Sequence, residues 1–304
     1  MTGSPAVQGA GPWRFAVLLV GNAALALGPL FVRLADTGPV AAGFWRLALA
    51  LPIIALIAWR QGGLPGGAAG GSRDGPGRLV IWLALGAGIA FGLDIASWHL
   101  GIERTRLGNA ALFGNSGSVI IIVWGLIIAR RAPFRGEVAA IAAALAGAAL
   151  LMGGSLEISP RNLAGDALSL LAGIFYALYI LLLRHVRPRM TSWRLLCASS
   201  LTATPVLLLC AVMLGETILP RDWTWLVVLA LSSQVVGQGA LVYALGWFRP
   251  LVIGLALLTQ PALAALCGWL VFGEVLSPSD IAGMVLMAAA LALARAAQPR
   301  AVKT

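Results

Sequence analysis

The sequence predicts an all-α membrane protein of ten transmembrane helices, arranged as two inverted five-helix repeats with both termini cytoplasmic. Three observations predict it. Of the 304 residues, 60% are hydrophobic and only 11% charged, with a mean hydropathy of +0.92, far outside the soluble range. Ten apolar runs approach the roughly 20 residues that cross a hydrocarbon core. A weak copy of the stretch from Phe91 to Trp124 returns 145 residues later, from Val236 to Trp269.

The runs span 15 to 32, 39 to 59, 79 to 100, 107 to 129, 137 to 154, 164 to 183, 193 to 214, 223 to 246, 250 to 272 and 279 to 295. They divide the chain into a cytoplasmic tail (1–14), a first repeat (15–154), an external linker (155–163), a second repeat (164–295) and a second tail (296–304). Gln61 to Gly77, rich in Gly and Pro, reads as a flexible cytoplasmic loop. Arg14 followed by an apolar run and Ala24-Leu25-Ala26 imitates a cleavable signal. The apolar character continues to Val32, however, and losing the segment would spoil the five-plus-five plan, so retention is expected.

The basic residues give the orientation. With the N-terminus inside, 15 fall on the cytoplasmic side, among them Arg14, Arg184, Arg187, Arg194 and Arg249; five fall outside (Arg33, Arg104, Arg106, Arg161, Arg221) and Arg46 lies within a helix. The net charge of +10 is thereby explained as topology, and no nucleic acid is expected. Cys197, Cys210 and Cys267 all sit in apolar runs without CxxC spacing, so packing is expected and a disulfide framework or metal site is not.

The repeat rests on which residues match. Seven of the 39 pairs from 91/236 to 129/274 are identical, against about four by chance in so Ala-, Leu- and Gly-rich a chain. Leu100-Gly101-Ile102-Glu103-Arg104 faces Leu245-Gly246-Trp247-Phe248-Arg249, Asn115 meets Gln260, and Trp124 meets Trp269. Trp45-Arg46-Leu47 and Trp193-Arg194-Leu195 form a second echo, 148 apart. An odd number of helices per half inverts the second half, an architecture of transporters with the substrate site near the bilayer midplane.

Polar groups inside such helices are the candidates for that site, because each needs a partner or a water-filled cavity. Asp94 and Trp98, four apart, share a face of the third helix and are the expected lining pair. His99 lies roughly 140° away at 100° per residue and is either a cavity residue or a headgroup-level one. Gln234 and Gln238, also four apart, either line the pathway or join helices. Tyr176, Tyr179 and Tyr243 could stack a substrate ring, hold its carboxylate or pack. Asn115 and Gln260 occupy equivalent depths, with Gly108, Gly114, Gly117 and Ser118 suited to close packing of the fourth helix, the ninth being the expected neighbour. Arg46 is expected to snorkel to the outer surface, with a gating ion pair or substrate carboxylate as its other role. Pro52, Pro205 and Pro261 are the helix-breaking candidates for gating.

Gln260-Pro261, Gly273-Glu274-Val275-Leu276 and Asp280-Ile281-Ala282-Gly283 resemble the end of the EamA-type repeat of the drug/metabolite transporter superfamily. The resemblance implies two inverted five-helix units and export of small metabolites, notably amino acids, across the bacterial inner membrane; the nearest analogy is the amino-acid exporter branch, including its aromatic amino-acid exporters. The first half departs from the pattern, with Ser116 in the place of Pro261 and Ala129 in that of Glu274. The expected function is therefore secondary export by alternating access, of amino acids first, with efflux of drugs or other metabolites as the alternative. No cofactor is expected, and the partners are a small-molecule substrate and the lipid bilayer, with a monomer as the expected state. The chain has no GxxxxGK[ST] sequence for ATP. A membrane enzyme acting on lipid-linked groups is the contrasting class, but two His and one mid-membrane Asp supply little for it. A retinal sensor would need an intramembrane Lys, and the only Lys is Lys303.

Overall fold

A computed structural model describes residues 11–61, 77–105, 110, 113–130, 132–153, 159–160, 162–272 and 275–296, and all regular structure among them is helical. The helices are α1 (Pro12–Ala26), α2 (Gly28–Leu34), α3 (Pro39–Arg60), α4 (Arg78–Arg104), α5 (Ser116–Ala129), α6 (Arg135–Gly153), α7 (Leu163–Val186), α8 (Ser192–Met213) and α9 (Thr224–Leu229). A π-helical segment (Ala230–Gln238) then leads into α10 (Gly239–Ala244), followed by α11 (Pro250–Leu258), α12 (Gln260–Phe272) and α13 (Pro278–Ala296). Among the described residues, six stretches are long and apolar enough to cross a membrane, and three shorter helices are apolar too. The chain is thus a multi-pass membrane protein, in which the helix is the natural element because it satisfies every backbone group internally.

Proline decides where these helices begin and where they break. Pro12, Pro39, Pro250 and Pro278 each open a helix, where a missing N–H costs nothing. Within the first apolar run, α1 stops at Ala26 and α2 restarts at Gly28, with Pro29 in its first turn. The ninth run is broken likewise between Leu258 and Gln260, just ahead of Pro261. In both places the proline cannot donate to the turn before it. Pro52 and Pro205 instead sit within unbroken α3 and α8.

Helices from residues before 154 pack mainly on helices after 163: α4 against α7 and α8, α3 against α8, α6 against α13, α5 against α11 and α7, and α1 against the π segment and α10. Glycine permits the closest of these approaches. A Cβ at Gly147 of α6 would lie 2.7 Å from the carbonyl oxygen of Gly283 in α13, and one at Gly283 would lie 2.8 Å from that of Gly147. A Cβ at Gly117 in α5 would lie 2.5 Å from the carbonyl oxygen of Gly173 in α7, whereas Ser118 backs onto Gly254 of α11. The small residues of the fourth run therefore face two neighbours, the sixth run as well as the ninth; Gly108 lies outside the described residues.

Polar ties join the two parts of the chain at both ends of the bundle. At one end, the Glu216 carboxylate accepts from the backbone N–H groups of Val40 and Ala41 at 3.3 and 2.7 Å, supplying the acceptor that the first turn of α3 lacks. Gly38 donates to Thr217 O at 3.0 Å and the Trp45 indole to Ile218 O at 2.6 Å. The other end lies one apolar run away, about 30 Å at 1.5 Å per residue. There Arg249 is ion-paired with Glu137, whose side chain is 1% exposed, and Glu137 also accepts from Phe134 N at 3.1 Å. Arg184 donates to Phe248 O at 2.6 Å, Arg187 to Val242 O at 3.2 Å, and the Arg14 guanidinium lies 3.3 Å over the Trp247 ring. Several arginines read as topology signals thus also cap carbonyls or cover rings. Arg194, counted with them, is instead buried at 1% exposure in α8.

Two outcomes follow for stability in detergent. Arg249→Ala strands a buried carboxylate, at a cost of about 3 kcal/mol or more, so its Tm should fall further than that of Glu137→Ala/Arg249→Ala; the opposite order would show that the pair is not the contact that matters. Gly147→Leu, by forcing α6 and α13 apart, should cost about 1–3 kcal/mol and lower Tm by several degrees, whereas the lipid-facing Leu145→Ala should not.

Candidate functional site

A cavity of about 200 Å³ lies among α1, α2, α3, α4, α5, α7, the π segment and α12. It is smaller than the ~300–1,000 Å³ of drug-sized ligand sites and equals the liquid volume of about seven waters. Both halves of the sequence line it: Leu25, Ala26, Gly28, Pro29, Val32, Arg46, Phe91, Asp94, Ile95, Trp98, His99, Gly114, Asn115 and Ser118 from the first, and Ala172, Tyr176, Gln238, Gln260 and Pro261 from the second. Its position follows from the helix breaks. Leu27, Asn115 and Thr259 each interrupt an apolar run, and the residues beside each interruption line the space.

Arg46 is half-buried and turns toward the cavity. Its Nε donates to Gln234 Oε1 at 3.1 Å and its Nη2 to Ser233 O at 3.5 Å, and the guanidinium carbon stands 5.7 Å from the centre of the Phe91 ring. The reason is local: the π segment, packed on α3, offers a carbonyl and an amide at the depth where the side chain would otherwise meet lipid. Gln234 is fully buried and donates onward to Ser200 Oγ at 3.1 Å in α8. Asp94 shares the cavity with Arg46, and the two interact electrostatically, as does Asp94 with Tyr176 and Tyr179. Among the described residues, Arg46 and Asp94 are the charged groups lining it.

Aromatic rings make the rest of the wall. Phe91 stacks on Tyr179 with ring centres 4.4 Å apart and planes 15° apart, and Tyr176 lies 6.1 Å from Tyr179. Tyr179 is fully buried behind the wall, and its hydroxyl donates to Gln238 Oε1 at 3.4 Å. The Trp98 indole lies over Gly114, where an added Cβ would come within 3.1 Å of Nε1. His99 is 5.4 Å from Trp98, is hydrogen-bonded to the Pro39 carbonyl, and keeps an Nδ1 without a partner among the described residues.

The sequence candidates therefore divide three ways. Asp94, Trp98, His99, Asn115, Tyr176, Gln238, Gln260, Arg46 and Pro261 line the cavity. Tyr179 and Gln234 stand directly behind it. Tyr243 stands apart, between Trp13 at 5.8 Å and Trp247 at 6.2 Å near the Arg249 end, and Pro52 and Pro205 face outward on exposed sides of their helices. Gln234 reaches Ser200 and Arg46, and Gln238 reaches Tyr179 and lines the cavity. His99 lines the space with Asp94 because Phe91, Asp94, Ile95, Trp98 and His99 form one broad stripe of α4, with Asp94 and His99 at its two edges.

Some contributors went unrecognised in the sequence. Phe91 opens the repeated stretch, yet nothing about a lone Phe marks it as wall. Asn22, 2% exposed, donates from Nδ2 to Ala256 O at 2.8 Å and Thr259 Oγ1 at 2.9 Å, tying α1 to the break before Pro261. As an amide in an apolar run it carried the same signal as Gln234.

The chain is similar to known proteins in sequence and in fold. A protein of Archaeoglobus fulgidus described as an uncharacterized transporter is 22% identical over 210 residues, 69% of this chain and 75% of that one. A second from the same organism, described in the same words, is 27% identical over 157 residues, half of each chain. A solved crystal structure superposes with a TM-score of 0.72 over 93% of this chain and 95% of that one, at 17% identity, which shows a shared fold. Residues 163–296, the segment carrying Tyr176, Tyr179, Gln234, Gln238 and Gln260, match the EamA-like transporter family.

Proposed function

We propose that this protein is a secondary exporter of small metabolites, with amino acids, aromatic ones included, as the leading class. It works by alternating access between two inverted five-helix repeats, residues 15–154 and 164–295, in the bacterial inner membrane. The observation that carries the reading is the polar cavity between the two halves, the place where inverted-repeat transporters hold their substrates.

The packing supports the duplication. Exchanging the halves turns the contact of the third run with the sixth (α4 on α7) into that of the eighth with the first (the π segment and α10 on α1), and it carries the pair α5–α11 and the pair α6–α13 each onto itself. Asn115 and Gln260, equivalent in the repeat, both stand at a helix interruption beside the cavity. The charge bias supports a cytoplasmic position for the Arg249 end. In this conformation, Glu137–Arg249, Arg14 over Trp247, and Phe15 against Phe248 at 6.1 Å close that end. Trp98 and His99 lie in the last third of α4, toward the other face, with Asp94 one turn before Trp98. Opening the cavity to the cytoplasmic side thus requires these contacts to part, a rocking of one bundle on the other.

The test is flux in sealed proteoliposomes. Labelled amino acids or other small metabolites should cross at a rate set by the protein, and Asp94→Asn, Gln238→Ala and Tyr179→Phe should each lower the flux severalfold with folded protein retained. A protein that moves no solute and alters one covalently would overturn the reading in favour of a membrane enzyme. Unchanged flux in all three variants would assign those residues to packing.

A further inference from the structure

We propose that the cavity is a zwitterion site, in which Arg46 receives a carboxylate and Asp94 an ammonium group of the same small molecule. This deepens the transport reading and rests on it. A charge held at membrane depth costs a few kcal/mol unless a partner compensates it, and the cheapest arrangement for two opposite charges in one small space is a direct ion pair. The structure does not make that pair. Arg46 is held by neutral acceptors, Gln234 Oε1 and Ser233 O, and these take only part of a five-donor fork. Asp94 interacts with Arg46 through the field across the cavity, with no direct hydrogen bond to a described residue. A guanidinium anchored from behind by Gln234 and Ser233, and a carboxyl group not bonded to it, thus border the same 200 Å³.

That geometry discriminates by charge pattern. An anion on Arg46 leaves Asp94 uncompensated and repelling it, a cation on Asp94 leaves Arg46 so, and a neutral solute strips water from both without replacing it. A molecule carrying both charges a few ångströms apart satisfies both through charge-assisted hydrogen bonds. The remaining wall, Phe91, Trp98 and Tyr176 with Ile95, suits an apolar or aromatic side chain. The volume of about 200 Å³ suits a molecule about the size of a free amino acid.

The test needs no variant: L-phenylalanine, 3-phenylpropionate and phenethylamine share a ring and differ in which charges they carry. In proteoliposomes L-phenylalanine or L-leucine should be carried, and the two singly charged analogues should compete at least tenfold more weakly. Arg46→Gln should then erase the discrimination against phenethylamine, and Asp94→Asn that against 3-phenylpropionate, whereas Arg46→Lys should keep part of it. Comparable transport of either analogue and L-phenylalanine, or transport of singly charged or neutral solutes with no zwitterion carried, would overturn the zwitterion site and leave transport standing. Absence of flux for every solute would instead sink the transport reading itself, and the zwitterion site with it.

Discussion

Hydrocarbon offers no hydrogen bonds, and that constraint organises this protein. Each charged, amide or hydroxyl group carried into the bundle must be met by another part of the chain or by water in a cavity. The helices satisfy their own backbones; the side chains then sort themselves by whether a neighbour can reach them. Asn22 is met by Ala256 and Thr259, Thr202 by Leu85 O at 2.9 Å, and Gln234 by Ser200 and Arg46. Each of these bonds crosses between the two parts of the chain or between neighbouring helices, so the polar ties fix the helix arrangement while the apolar contacts fill it. Where the ties do not suffice, around Arg46 and Asp94, the helices leave a space.

The space is made by defects in otherwise regular helices. Pro29 and Pro261 break two runs, Asn115 marks the start of α5, and the π turns loosen a fourth. Defects of this kind are tolerable at membrane depth only where they line a cavity or lie inside protein, and all four lie next to the same one. Close glycine contacts such as Gly147 with Gly283 hold the periphery together, so loosening in the middle does not loosen the whole.

Much of this was legible in the sequence because it rests on residue types that are rare in lipid. Asp94, Gln238, Gln260 and Tyr176 stood out against an apolar background, and all four line the cavity. The helix break at Pro261 was legible for the same reason, since proline acts through its own backbone. What was not legible depended on partners brought from afar. Snorkelling was the natural expectation for Arg46, and only the approach of the π segment supplies Gln234 and Ser233 in its place. Glu137 reads as an ordinary loop-edge acid until Arg249, 112 residues away, is seen beside it. The π geometry itself has no sequence signal, because it is a product of packing that leaves the pattern of residues unchanged.

Water should reach the space between the two bundles at membrane depth, and thiol accessibility tests this most directly. In a chain with Cys197, Cys210 and Cys267 replaced, Asn115→Cys faces the cavity and Val123→Cys, two turns along the same helix, faces lipid at 48% exposure. A membrane-impermeant thiol reagent applied to sealed proteoliposomes should modify the first and spare the second, with labelling reduced when a transported solute is present. Equal and negligible labelling at both positions, in protein shown to be folded, would mean that the interior is dry and that no aqueous path leads to Arg46 and Asp94.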